Sequence, residues 1–227
     1  MLTFVELKNF RNNGMFNTQP VRLRSIIGLI VFLLITNNIA CGQSFKAAVL
    51  AGINSSQVSG DELSGFNKVG LFIGGSAILP VREKSLVEME LLFIQKGSKT
   101  PTPKNGAANN FYKMSLNYLE VPLIYTFRPV KYVSVHAGPT FGVLVGSKEE
   151  DNAGELTGQI PFQKTELGID GGLSVYFSEH LSLTMRLSTS LLPIRKTGAN
   201  TPLFESGQYN SGLAFFLQYT FGSKKSE

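Results

Sequence analysis

The strongest constraint on how this chain can fold is a period of two that begins at Phe45 and persists to Phe221. Apolar residues recur at alternate positions in segments of about ten to thirteen residues, each closed by a cluster of Gly, Pro, Ser, Asn or charged residues. That period builds strands with two unlike faces. It predicts eight of them: Phe45 to Asn54, Lys68 to Leu79, Ser85 to Lys96, Lys113 to Arg128, Tyr132 to Leu144, Lys164 to Phe177, Leu181 to Ser190 and Tyr209 to Phe221. No long helical pattern lies among them.

The connections alternate too. Short turns fall at Val81–Lys84, Pro129–Lys131 and Ser178–His180, whereas the other four connections run about a dozen residues or more. An even strand count with short turns at one end and long loops at the other is the arrangement of outer-membrane barrels, with the short turns periplasmic. The expected fold class is therefore all-β, an eight-stranded antiparallel up-and-down transmembrane β-barrel. Composition agrees: only 16% of residues are charged, against about 25% in soluble domains, while Phe (17) and Tyr (7) are plentiful.

Upstream of the first strand, Arg22 and Arg24 precede an apolar run from Ile26 to Ile35, then Asn37, Asn38 and the small residues Ala40, Cys41 and Gly42. This is the order of a secretory signal peptide, and the run is too short for a membrane-spanning helix, which needs about 20 residues. The expected organisation is an N-terminal extension and signal peptide over 1–42, cleaved after Gly42, and a barrel domain over 43–227. A start at Met15 would give the signal a more ordinary length than Met1 does. Cys41 is the only cysteine, and Asn38 stands where a lipoprotein signal usually carries Leu, so Cys41 reads as a small residue beside the cut and the mature chain as free of disulfides. Removing 1–42 leaves 17 basic against 15 acidic residues, about +2, which does not suggest nucleic-acid binding.

Parity assigns the faces. A basic residue facing lipid at mid-membrane costs roughly 2–4 kcal/mol and an acid somewhat less, so ionisable residues within the strands should point inward. Glu88, Glu90, Glu120, His136, Glu166, Asp170 and Arg186 form the candidate polar network of the lumen, with Lys96 and Lys164 placed near a rim. Phe45, Phe127, Phe177, Tyr219 and Phe221 fall at the short-turn end as a candidate aromatic girdle. Pro122 and Pro139 lie inside strands of a barrel without free edges, so each is expected to mark a bulge or local widening.

Little here suggests catalysis. His180 lies in a short turn, and His136 is in mid-strand with Ser134 nearby and Ser188 of another strand as a further hydroxyl, but nothing in the sequence positions either as a pair. The acidic stretch Lys148, Glu149, Glu150, Asp151, Asn152 and Glu155 lacks the ligand spacing of a calcium loop and reads as a solvated loop. Lys99, Lys104 and Lys113 make another long loop basic, suited to lipopolysaccharide phosphates.

The segments NYLEVPLIY (Asn117 to Tyr125) and VSVHAGPTFGVLV (Val133 to Val145), with VLAGINSS (Val49 to Ser56) and ELLFIQKG (Glu90 to Gly97), resemble the PorT-like family of small outer-membrane barrels of OmpA type. The resemblance covers nearly the whole mature chain. It implies a bacterial outer-membrane location and, through one namesake, a link with protein secretion. The expectation is a non-enzymatic barrel with a filled lumen and a structural or partner-docking role. It would use no cofactor or metal and would be a monomer among outer-membrane lipids and lipopolysaccharide, with envelope proteins as partners. Two alternatives stand beside it: a narrow solute pore, and a soluble lipocalin-like barrel with its apolar face inward.

Overall fold

The alternating segments all become strands. The computed structural model describes residues 45–221 apart from 62, 64, 102–110, 158 and 197–206. The signal peptide, the Gly42 cleavage point, Cys41, the choice between Met1 and Met15, and Lys104 lie outside the described residues. The strands are β1 (Lys46–Ser59), β2 (Lys68–Arg82), β3 (Ser85–Lys99), β4 (Tyr112–Val130), β5 (Val133–Asp151), β6 (Gly154–Glu155), β7 (Thr165–Tyr176), β8 (Leu181–Ser190), β9 (Arg195–Lys196) and β10 (Gly207–Thr220). Every pairing is antiparallel, in the order β1-β2-β3-β4-β5-β7-β8-β10, and β1 pairs with β10 to close the sheet into an eight-stranded barrel. The two-residue β6 and β9 extend the walls, pairing β5 and β10 respectively. Among the described residues there is no helix.

The faces follow parity. Leu123 and Tyr125 of β4, Phe141 and Val143 of β5, Leu173 of β7 and Leu217 of β10 all stand exposed on the outside, while their sequence neighbours are mostly buried within. The strands run further toward the long-loop end than the hydrophobic pattern reached. β1 continues through Gln57 to pair Ser59 with Tyr209, and β5 continues through Glu150 to pair Asp151 with Tyr112. These extensions are polar on the outside, so periodicity of apolar residues could not register them. They are held by ladder hydrogen bonds, which do not depend on side-chain polarity.

Three local expectations are corrected. Neither proline carries a bulge: Pro122 pairs with Thr140 and Pro139 with Ile169 in unbroken register. Pairing only lapses beside them, between Met89↔Leu123 and Leu92↔Glu120 and between Pro122↔Thr140 and Tyr125↔Ala137, where a donor is missing. The register shifts within the β4–β5 wall lie instead at Asn117/Tyr118, opposite Val145, and between Phe127 and Val130 beside the short turn. The acidic stretch is not a free loop, because Lys148 to Asp151 belong to β5 and pair with β4. Lys99 and Lys113 likewise lie in strands, paired with each other.

Candidate functional site

The barrel interior gathers the ionisable residues. Glu88, Glu90, Glu120, His136, Glu166, Asp170 and Arg186 are all buried, and they sort into layers along the bore.

Nearest the short turns, Glu88 accepts hydrogen bonds from Thr126 (3.1 Å) and from the amide of Gln218 (2.9 Å). Ser134 and the Tyr176 hydroxyl lie 3.3 Å apart, and Thr184 donates to Ser174 at 2.9 Å. In the next layer the Arg186 guanidinium grips Glu90 through two parallel bonds of 2.6 and 2.8 Å. Its Nε donates to His136 Nε2 at 3.4 Å, and its face lies 4.9 Å from the Phe216 ring centre. Thr140 donates to Asp170 at 2.5 Å.

β3 and β8 are four places apart in a ring of eight, so the Glu90–Arg186 pair spans the full diameter. A bidentate pair at this distance, forked in one plane, leaves no room between its partners for water.

The third layer is centred on Lys96, not at a rim as the strand pattern predicts. Because β3 continues to Lys99, Lys96 sits inside the bore and is 2% exposed. Its ammonium lies 2.5 Å from Glu120 and 2.9 Å from Glu166, and 5.3 Å from the Tyr118 ring centre. The Asn210 amide donates to Glu166 at 2.7 Å and to the Tyr118 hydroxyl at 3.4 Å, another contact between opposite strands, β10 and β4. Lys164, by contrast, is exposed just before β7.

Around and above this layer the interior turns apolar. Leu50, Phe72, Leu92, Ile94, Met114, Leu116 and Phe216 are buried together, and Phe72 stacks on Phe216 with ring centres 4.4 Å apart. Ile194, 1% exposed, packs against the same cluster from the segment between β8 and β10. Parity and charge rules found the acids and the arginine, but no charge signal marks Asn210, Gln218 or Ile194. Their roles depend on which strands face each other across the bore.

At the long-loop end Arg195 holds Glu149 through bonds of 3.0 and 2.6 Å, and the Tyr112 hydroxyl donates to the same carboxylate at 2.5 Å. Burial pushes the Glu149 carboxyl up, but the hydrogen bonds from Arg195 and Tyr112 outweigh it and bring it below the ordinary range. Burial and the neighbouring Glu149 carboxylate raise the Tyr112 phenol, keeping it protonated as a donor. Outside this cluster, Lys148 and Lys113 both reach Glu150, at 2.7 and 3.3 Å. Of the acids in this stretch, Glu149, Glu150 and Glu155 face cations, while Asp151 accepts from the backbone amide of Ala153 at 2.7 Å.

The expected aromatics are exposed at the short-turn end: Phe45 before β1, Phe127 in β4, Phe177 after β7, Tyr219 in β10 and Phe221 after it. Tyr219 meets Phe221 edge to face, with ring centres 5.4 Å apart. Tyr125 and Tyr132 are exposed at the same end and were not singled out by sequence. No catalytic pairing with Ser188 appears for His136, whose side-chain partner is Arg186. His180, in its turn, lies 2.9 Å from the Thr220 carbonyl oxygen through Nδ1.

A closed antiparallel barrel with an apolar exterior and a polar, ion-paired interior defines the class of integral outer-membrane β-barrels. The chain belongs to the outer membrane protein beta-barrel domain family, whose model matches residues 41–195. No curated protein matches the chain. Similar solved structures include Ail, the attachment invasion locus protein of Yersinia pestis, 14% identical, with a TM-score of 0.47 over 78% of this chain and 98% of Ail. Neisserial surface protein A is 16% identical, with a TM-score of 0.42 over 79% of this chain and 99% of its own. A de novo designed transmembrane β-barrel is 11% identical, with a TM-score of 0.38 over 78% and 95% of the two chains.

Proposed function

We propose that the protein is a non-enzymatic outer-membrane barrel with a closed lumen that serves as a structural or docking component of the cell envelope. The observation carrying this reading is the Glu90–Arg186 pair across the diameter at 2.6 and 2.8 Å. The Lys96 layer and the Phe72–Phe216 stack support it further along the bore. An eight-stranded barrel is just wide enough for its side chains to fill. With the interior filled, partner contacts fall to the loops and turns, and lipid contacts to the outer band and the aromatics at the short-turn end. The PorT-like segments favour partners in a secretion apparatus, and Lys99 beside Lys113 suits lipopolysaccharide phosphates.

The test is planar-bilayer conductance of the refolded protein, once a heat-modifiable gel shift has shown that the barrel formed. The expected result is no discrete channel. Channels altered by Glu90→Ala or Arg186→Ala would overturn the closed-lumen reading in favour of a narrow pore. Such a pore would be cation-selective, because Glu88, Glu90, Glu120, Glu166 and Asp170 face the cations Lys96 and Arg186. The lipocalin-like alternative needs those carboxylates outside, whereas they are buried and the apolar face is exposed. Crosslinking in cells from the loop and turn residues would identify the docking partners.

A further inference from the structure

We propose that the short-turn mouth of the barrel is a binding site for an oxyanion, a phosphate group presented from the periplasmic side. A cavity of about 730 Å³ opens there, lined by Lys46, Arg128, Lys131, Tyr132, Tyr176 and Glu179 among others. Three cations face one acid. Deeper in the barrel Lys96 and Arg186 are each neutralised by carboxylates within 2.9 Å. Among the described residues, no carboxylate forms an ion pair with Lys46, Arg128 or Lys131.

Arg128 is the most specific element. It is the last inward-facing residue of β4, and its guanidinium lies 3.6 Å from the centre of the Tyr176 ring. Tyr176 is itself steadied by the contact of its hydroxyl with Ser134, at 3.3 Å. The ring covers one face of the guanidinium and its Nε is buried in the wall, which leaves the terminal nitrogens as the donors at the cavity that Arg128 lines. A guanidinium held in place, shielded on one side and paired with no carboxylate among the described residues, is suited to an oxyanion. Lys131, 5.9 Å from the Tyr132 ring centre, and Lys46 add flexible point charges around it. A mouth with low-dielectric walls and a positive lining also concentrates anions from the adjoining water. The Glu88 layer closes the cavity inward, so the site is a dead end, and it does not depend on what the barrel docks.

The experiment uses the folded protein in octyl glucoside, whose headgroup carries no phosphate, titrated with inorganic phosphate at low ionic strength and followed by amide NMR shifts. Saturable shifts are expected at residues 128–134 and 176–180. Arg128→Gln and Lys131→Gln should each weaken binding roughly tenfold, and Lys148→Gln at the opposite end should leave it unchanged. Lys131 lies in an exposed turn, so its variant decides the matter if Arg128→Gln does not fold. Non-saturating shifts, or equal affinity in wild type and Lys131→Gln, would overturn the proposal. Repeating the titration in phosphatidylglycerol nanodiscs identifies the source. Loss of phosphate binding there assigns the site to a lipid headgroup, and retained binding assigns it to a soluble phosphate.

Discussion

Arg186 is anchored by Glu90 from the opposite wall, by His136 beside it and by the Phe216 ring beneath, so losing either charge leaves the other stranded out of water. Glu90→Ala should destabilise the barrel by about 3–5 kcal/mol in urea unfolding. The double variant Glu90→Leu/Arg186→Met should recover much of that loss, because an apolar pair needs no compensation. Equal losses in the single and double variants would mean that the pair is not formed. Glu149 makes a pH-dependent counterpart above the membrane. Its carboxyl is held below the ordinary range in the folded protein, so its contribution is present at neutral pH and is lost as pH falls through that depressed value. Wild type should therefore melt higher than Glu149→Gln at pH 7, with the gap closing below about pH 4. A gap constant down to pH 3 would show that Arg195 does not hold the carboxylate. The sequence made the interior charges legible through parity alone, since a charge within an alternating strand has only one tolerable face. It could not reveal that Glu90 meets Arg186 rather than Lys96, because that depends on how far apart β3 and β8 stand around the ring.

The strands themselves were legible wherever an apolar outer face met lipid, as in Leu181–Ser190, whose bounds the alternation reproduced. They were illegible above that band, where β5 climbs through Lys148 and Glu150 with nothing apolar to mark it. Lys96 was misplaced for the same reason: a strand taken to end at Lys96 puts it at a rim, whereas three more residues of ladder bury it. Adjacent glycines in β7 show how closely the elements fit. A Cβ on Gly172 would lie 2.1 Å from the Met185 carbonyl oxygen and 2.8 Å from His136 Nε2, whereas one on Gly171 would meet only the His136 carbonyl oxygen, at 3.8 Å. Gly172→Ala must push β7 from β8 or displace the imidazole, and overpacking of this kind costs about 1–3 kcal/mol. It should lower the folded fraction in a heat-modifiable gel shift, while Gly171→Ala folds like wild type. Equal folding of the two variants would show that the β7–β8 wall is looser than its register implies.

At the scale of the whole molecule, the outer surface should report where the membrane lies. On the outer face of β4 the residues change from Phe127, Tyr125, Leu123, Val121 and Leu119 to Asn117, Ser115 and Lys113 along one line. The neighbouring strands change close by, at Gln95, which pairs with Asn117, and at Lys148, which pairs with Ser115. An apolar band that ends at nearly the same register on adjacent strands is what a bilayer requires, whereas a soluble barrel has no reason to end its apolar outer face together on neighbouring strands. Arginine scanning along this line tests the border. Leu123→Arg, near the middle of the apolar stretch, should cost roughly 2–4 kcal/mol in reversible unfolding from lipid vesicles, and Ser115→Arg, above the border, about 0–1. In octyl glucoside the difference should shrink, because a micelle lets the guanidinium reach water more easily than a bilayer does. A flat profile in vesicles would show that Leu123 does not face hydrocarbon, and would count against the transmembrane reading even with the barrel intact. A steep profile centred on Leu123 would fix the depth of the protein in the bilayer. It would also leave the Arg195–Glu149 cluster and the Arg128 mouth on opposite sides of the membrane, each in reach of a different set of envelope partners.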